Sequence, residues 1–379
     1  MIRNKFLHKT LLIISVLLII SIISFGSFYT YWNTASPDKT CSSCHEIGKS
    51  VHSMAQSSHR GLHCKECHGT ALNNGFHSLK EKGMMVVNHL TNKRVENIKL
   101  SEQQLLEVRS NCNRCHATEF AKWTSSGHSV DYQHVFLNKK HNSTEQFNFD
   151  CLRCHGMFFE GTVKDVVEPL KIKGPWKLKD GEMATRPTIP CMACHQIHQE
   201  GLPKTNPDYA DPKSIFYHTK SSISKLSFYD RHEKVYFPVA QLPKLNLWEG
   251  ERVVKVSDDP IMRNCVQCHA PNALHQAGTS DDRTPRGVHE GLSCMSCHEP
   301  HSNNARNSCK TCHPAMSNCK LDVTKMNTSY ADAKSPNNIH FVACIDCHKD
   351  GKRIKQHAIN NAPLANKDKL MEFIQHQQK

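Results

Sequence analysis

The chain is 379 residues long, which by the usual length scale suggests two or three domains. Aromatic residues make up only 7% of it and the mean hydropathy is −0.55, so composition argues against ordinary apolar cores of that size. The formal charge of +13 invites a polyanionic partner such as nucleic acid, and nineteen cysteines require a separate account.

Residues 1–10 form a basic tail with Arg3, Lys5 and Lys9. Residues 11–32, LLIISVLLIISIISFGSFYTYW, then run 22 positions without a charge. As a helix this run measures about 33 Å, enough to cross a bilayer. Tyr29, Tyr31 and Trp32 stand where an interfacial aromatic belt would lie, and the basic residues precede the span. A cleaved signal peptide is the rival reading. The apolar run is longer than a usual signal core, and the following Asn-Thr-Ala-Ser is a poor cleavage site. The expectation is an uncleaved single-pass anchor in the cytoplasmic (inner) membrane. The N-terminus then faces the cytoplasm and the rest of the chain the periplasm.

Beyond the span the pentamer Cys-x-x-Cys-His occurs nine times. Its first cysteines are Cys41, Cys64, Cys112, Cys151, Cys191, Cys265, Cys294, Cys309 and Cys344. Its second cysteines are Cys44, Cys67, Cys115, Cys154, Cys194, Cys268, Cys297, Cys312 and Cys347. Its histidines are His45, His68, His116, His155, His195, His269, His298, His313 and His348. Two thiols at this spacing reach the two vinyl groups of one haem, and the next residue places an imidazole under the iron. At this composition chance supplies roughly 0.07 such pentamers. Zinc sites pool distant cysteine pairs and need no histidine after each, and thiol redox motifs come singly. A disulfide scaffold leaves the nine histidines unexplained. The pattern therefore implies nine covalently bound haem c groups, with the nine histidines as proximal iron ligands.

Nine haems carry eighteen propionates, which bring the protein to about −5 when reduced and about +4 when oxidised. Nucleic acid drops out as a partner. One haem per about 42 residues leaves no room for a separate catalytic domain of normal size. The expected fold is mainly α with much coil. It is a multihaem cytochrome c fold organised around a chain of nine stacked haems, with one N-terminal transmembrane helix.

Residues 33–200 form an N-terminal haem region with five motifs. Its start, CSSCHEI, SSHRG and CKECHG after a basic tail and one span, resembles the NapC/NirT family of membrane-anchored quinol dehydrogenases. The motif at Cys41 and His45, the Ser57-to-His59 segment and the motif at Cys64 and His68 reproduce the family's order. The family's methionine two residues past the first haem histidine is Ile47 here, and Met54 is the nearest methionine. The resemblance covers about a quarter to a third of the chain. It implies a quinol site near the first haem, for which Lys80, Glu81 and Lys82 lie in a suitable region. It also suggests a place in anaerobic respiration.

Trp123-Thr-Ser-Ser-Gly-His128 resembles stretches of multihaem cytochromes whose histidine ligates a haem from above. His134 and His141 follow, and His198 stands three residues past His195, on the same face if this stretch is helical. Residues 201–264 read as a haem-free linker or docking segment, with short strands expected at 234–240 and 252–256. Residues 265–350 form a C-terminal haem region with four motifs. His289-Glu-Gly-Leu-Ser-Cys294 echoes His59-Arg-Gly-Leu-His-Cys64, and His298 to His301 echoes His195 to His198. His340 precedes Cys344 by four. Residues 351–379 are a polar tail, expected as a surface helix.

Of 27 histidines nine are proximal. The surplus allows every iron to be closed by a second strong ligand, and a closed iron passes electrons rather than binding substrate. The better distal candidates are His59, His128, His198, His289, His301 and His340. His77, His89, His141, His275, His218, His232 and His357 are weaker, and Met54 is the candidate for the first haem. Cys319, outside the motifs, reads as a small free thiol, with an iron ligand or active-site thiol near Cys309 and His313 as the alternative. The chain is thus expected to carry electrons from the quinol pool, directly or through a membrane partner, to a periplasmic reductase or outer-membrane cytochrome. The alternative is a multihaem reductase or oxidase of nitrite, hydroxylamine or sulfite. The Cys-x-x-Cys-Lys motif of multihaem nitrite reductases is absent. Hydroxylamine-oxidising relatives cross-link a tyrosine to haem, and Tyr132, Tyr217, Tyr229, Tyr236 and Tyr330 are the tyrosines to consider, with nothing singling one out.

Overall fold

Helix α1, Ile2–Thr34, holds the apolar run and extends through the basic tail. Its interior lacks proline, and Thr30 and Thr34 bond back to the carbonyls of Gly26 and Thr30 at 2.8 Å each. From Leu11 to Phe28 the large apolar side chains are 47–68% exposed, so an apolar surface runs all round the helix. The stretch His8–Tyr31 is long and apolar enough, by length and composition, to cross a membrane.

The computed structural model describes residues 2–42, 47–69, 83, 86–87, 89–91, 100–139, 150–170, 175–198, 226–244, 247–249, 251–269 and 290–302. These fall in two compact units. The first draws on Met1–Thr124, His128–Pro203 and Tyr229–Tyr236, the second on Ser125–Gly127, Lys204–Phe228 and Phe237–Lys379.

Short helices separated by coil make up the first unit. They are α2 (Pro37–Thr40), α3 (Gly48–Ala55), α4 (Cys64–His68), α5 (Glu102–Cys112), α6 (Ala117–Thr124), α7 (Tyr132–Phe136), α8 (Cys151–Cys154) and α9 (Val163–Val166). Helix α5 starts where its sequence says it should. Ser101 accepts the amide of Gln104 at 3.4 Å, and the Gln104 side chain accepts the Ser101 amide at 2.7 Å, a complete capping box. Helix α7 is capped by Asp131, whose carboxylate accepts the His134 amide at 2.9 Å.

The apolar cluster of this unit is small: Tyr132, Phe136, Leu152, Val163, Val166, Val167 and Met183, with Val135 at its edge. The fully buried Tyr132 hydroxyl donates to Glu102 at 2.5 Å, tying α7 to the start of α5. Burial pushes the Glu102 carboxyl above its ordinary range, and the Tyr132 phenol rises for the same reason. Gly156, just past α8, has φ +127°, and a Cβ there would meet Leu152 and the Tyr132 hydroxyl at 2.9 Å. No other residue type fits that turn without strain.

Three two-stranded ribbons complete the described elements. Strands β1 (Val167–Glu168) and β2 (Lys177–Leu178) pair antiparallel, Val167 opposite Leu178. Strands β3 (Ser227–Asp230) and β4 (Val235–Pro238) form a hairpin, and β5 (Leu247–Glu249) pairs antiparallel with β6 (Arg252–Val254). Strands β4 and β6 fall inside the two expected stretches. In the second unit helix α10, Pro260–Cys265, begins at a buried Asp259 with proline at its first position. Met262 and Val266 pack with Val256 and Cys294. Mostly helix and coil with little apolar core is the architecture a haem-packed chain requires.

Candidate functional site: haem attachment motifs

Six motifs lie wholly within the described residues, those beginning at Cys64, Cys112, Cys151, Cys191, Cys265 and Cys294. Each is folded as about one helical turn. The histidine amide returns to the first cysteine's carbonyl at 2.8 Å for His116, His269 and His298, 2.9 Å for His155 and 3.0 Å for His195. The motif at Cys64 is itself helix α4. A turn of this kind puts the two sulfurs on one side, with the imidazole a step beyond. Among the described residues no cysteine is in a disulfide. One turn, two available sulfurs and a terminal imidazole fit covalent haem.

The first motif is described only at Cys41 and Ser42. Cys44 and His45 lie outside the described residues, as do the motifs at Cys309 (Cys312, His313) and Cys344 (Cys347, His348). The candidates His77, His141, His275, His289, His340, His218 and His357 also lie outside them. So do Lys80, Glu81, Lys82, Cys319 and the expected tail helix.

Attachment cysteines of different motifs meet. The Cys41 and Cys64 thiols share a hydrogen bond, which drives the Cys64 thiol far above its ordinary range. The Cys67 thiol is raised by burial, and Glu66 and Cys115 add to it. Burial lifts Cys112 to about 11, with Cys191 and Cys67 as further contributors, and lifts Cys191 as well. In the second unit a hydrogen bond from Cys265 holds the Cys294 thiol down. Once joined to haem these sulfurs are thioethers and do not titrate, so what survives attachment is the adjacency.

Polar clamps hold the neighbouring motifs together. Asn111 donates to the Cys67 carbonyl at 2.8 Å, and Arg114 pairs with the Glu66 carboxylate at 2.6 Å. The exposed Arg114–Glu66 pair contributes up to about 1 kcal/mol, and the Asn111 bond about as much again. The motif at Cys191 is a 3-10 turn, Cys191–Ala193, that packs on α5. The Trp123 indole donates to the Ile189 carbonyl at 3.3 Å, and Tyr236 to that of Met192 at 3.0 Å. In the second unit Asp259 accepts both the Ile261 amide at 3.0 Å and the Ser293 hydroxyl at 2.5 Å. It thereby joins α10 to the 3-10 turn Cys294–Ser296.

Among the described residues two histidine pairs come together. The His59 and His116 rings stand 6.2 Å apart, centre to centre, and those of His68 and His198 stand 6.0 Å apart. His59 is placed by Ser57, a buried residue whose hydroxyl donates to the Met54 carbonyl at 2.8 Å and accepts the His59 amide at 3.1 Å. This explains the Ser-x-His order in physical terms. Burial lowers the pKa of His59 and of His198, leaving neutral imidazoles suited to iron. His198 lies on a turn rather than on a helix, so its spacing from His195 does not act through a shared helical face.

His128 is half-buried on the 3-10 turn Gly127–Ser129, and His301 is half-buried beyond Cys294–Ser296. His89 and His232 are exposed, and His134 bonds to its own cap, Asp131, at 2.6 Å. Met54 is buried on α3, with its sulfur 4.0 Å from the Ser57 hydroxyl. Tyr132 and Tyr236 bond to Glu102 and the Met192 carbonyl, and Tyr229 stacks on Phe158 at 4.3 Å. Sequence reading did not pick out Asn111, Asp259 or Arg109; the last stands three residues, one helical turn, before Cys112.

Comparison with protein families gives two matches. Residues 35–205 match the model of outer membrane cytochrome MtrC/MtrF-like domains II/IV, and residues 250–314 match that of cytochrome c3. No curated protein and no solved structure showed significant similarity to the chain. Both family matches fall on motif-bearing stretches, and cytochromes of these families hold haem c covalently. The chain is a multihaem c-type cytochrome, and its chemistry is electron transfer.

Proposed function

We propose that the protein is a nonahaem cytochrome held in the cytoplasmic membrane by α1, with its haem region in the periplasm. It takes electrons from the quinol pool, directly or through a membrane partner, and delivers them to a periplasmic or outer-membrane acceptor. The observation that carries this reading is the pairing of imidazoles. With metal–nitrogen distances of about 2.0 Å, two axial imidazoles on one iron have ring centres about 6 Å apart. His59 with His116, at 6.2 Å, and His68 with His198, at 6.0 Å, meet that condition. His116 and His68 are then proximal ligands, and His59 and His198 close the same irons from the other side. An iron closed in this way has no position for substrate.

Bound haem supplies one-electron chemistry; the chain supplies the order of the attachment sites. Cys41 meets Cys64, Cys67 lies near Cys115, and Cys112 near Cys191. This supports a path through motifs one, two, three and five in the first unit, and the Cys265–Cys294 contact supports a link between motifs six and seven in the second. The anchor precedes the first motif directly, which supports entry of electrons there. The match to outer membrane cytochrome domains supports an acceptor on that side of the periplasm.

Entry from quinol is tested with detergent-solubilised full-length protein and a menaquinol analogue. The haem α-band is expected to rise to the level reached with dithionite. A protein that stays oxidised with every menaquinol analogue, yet reduces with dithionite, excludes direct quinol oxidation and leaves only the partner-fed route.

A further inference from the structure

Arg109 is, among the described residues, a cation with no anion. It lies on α5 one turn before Cys112, half-buried, with its guanidinium carbon 5.1 Å from the Trp123 ring centre and 5.7 Å from that of Phe120. Its Nε is buried without a hydrogen-bond partner, and no carboxylate among the described residues pairs with it. Arg114, five residues on, is exposed and neutralised by Glu66. Helix α5 packs on the turn holding Cys191, the Cys112 and Cys191 thiols both act on the Arg109 charge, and the indole beneath that charge is fixed to the Ile189 carbonyl. The charge thus stands beside the attachment sulfurs of two motifs.

We propose that Arg109 raises the reduction potentials of the two haems attached at Cys112 and Cys191. Arginine keeps its charge when desolvated, and the aromatic faces of Phe120 and Trp123 hold it in place. Reducing a haem removes one positive charge from its iron. A neighbouring cation partly withdrawn from water therefore favours the reduced form, and does so more strongly than a fully exposed one. The sulfur edge of a haem lies across the porphyrin from its propionates. A haem bound at Cys112 or Cys191 would therefore turn its thioether edge, not its carboxylates, toward this part of α5, where Arg109 would act on it. Two neighbouring haems raised together form a well at which electrons collect before moving on.

The proposal rests on haem attachment at these motifs, and the test separates the two. Full-length holoprotein is titrated by spectroelectrochemistry as wild type, Arg109→Met, Arg109→Lys and Phe120→Leu, and haem per chain is measured by the pyridine haemochrome. The expected result is that Arg109→Met moves two one-electron components to lower potential and leaves the rest in place. Arg109→Lys keeps the charge and Phe120→Leu loosens the stack without removing it, so both titrate close to wild type. Unmoved potentials in Arg109→Met at full haem content overturn the proposal alone. Equal downward shifts in all three variants also overturn it, since they assign Arg109 a packing role. A wild type lacking haem at Cys112 or Cys191 overturns the attachment reading beneath it.

Discussion

Replacing His198 with alanine is expected to convert one haem from six-coordinate low spin to five-coordinate high spin, and to let carbon monoxide bind about once per chain. The reason is geometric. His198 faces His68, a motif histidine, at the separation of two axial ligands, and it is held there by a turn rather than a flexible tail. Removing the ring leaves an open position on that iron, and a vacant ferrous haem binds carbon monoxide. The same change at His59 is expected to open the iron held by His116. Alanine at His134 or His232, both exposed, leaves the spectrum as it was. A low-spin, carbon monoxide-insensitive H198A protein with full haem content would remove the His68–His198 pairing.

Replacing Asp259 with alanine is expected to cost about 2–4 kcal/mol in the unit that carries the motifs at Cys265 and Cys294. Two contributions combine. Loss of a helix cap costs roughly 1 kcal/mol, and leaving a buried hydroxyl without its acceptor costs about 1–3 kcal/mol. Asp259 is fully buried, caps α10, and takes the Ser293 hydroxyl at 2.5 Å. Ser293 in turn accepts the Met295 amide at 3.2 Å, so the loss reaches the second motif's turn. The change reads as a lower urea midpoint, with a smaller drop in Asp259→Asn, whose side-chain oxygen can still cap the helix. Equal midpoints for wild type and Asp259→Ala would show that haem attachment alone holds this pair of motifs together.

The motifs were legible in the sequence because they are local: each pentamer that lies wholly within the described residues forms its own turn within five positions. Two short strands were legible for the same reason, since alternation acts over a few positions. Long-range neighbours were not. Nothing in the spacing places Asn111 on the Cys67 carbonyl or Ser293 on Asp259. His198 illustrates both sides of this limit. Its distance from His195 singled it out as a ligand, yet its ring meets His68, far away in the chain, and no helix is involved. Arg109 left no local sign because what sets it apart is that no carboxylate among the described residues pairs with it. The family matches move the emphasis as well, from the quinol side suggested by residues just past the N-terminal apolar helix towards the outer-membrane side.

Electron relay through closed irons is tested most directly by low-temperature EPR of the fully oxidised full-length protein, with and without nitrite, hydroxylamine and sulfite. The account predicts low-spin ferric signals only, integrating to nine haems per chain and unchanged by any of the three compounds. A high-spin signal that shifts when one of them is added would contradict it and make the protein a reductase or oxidase.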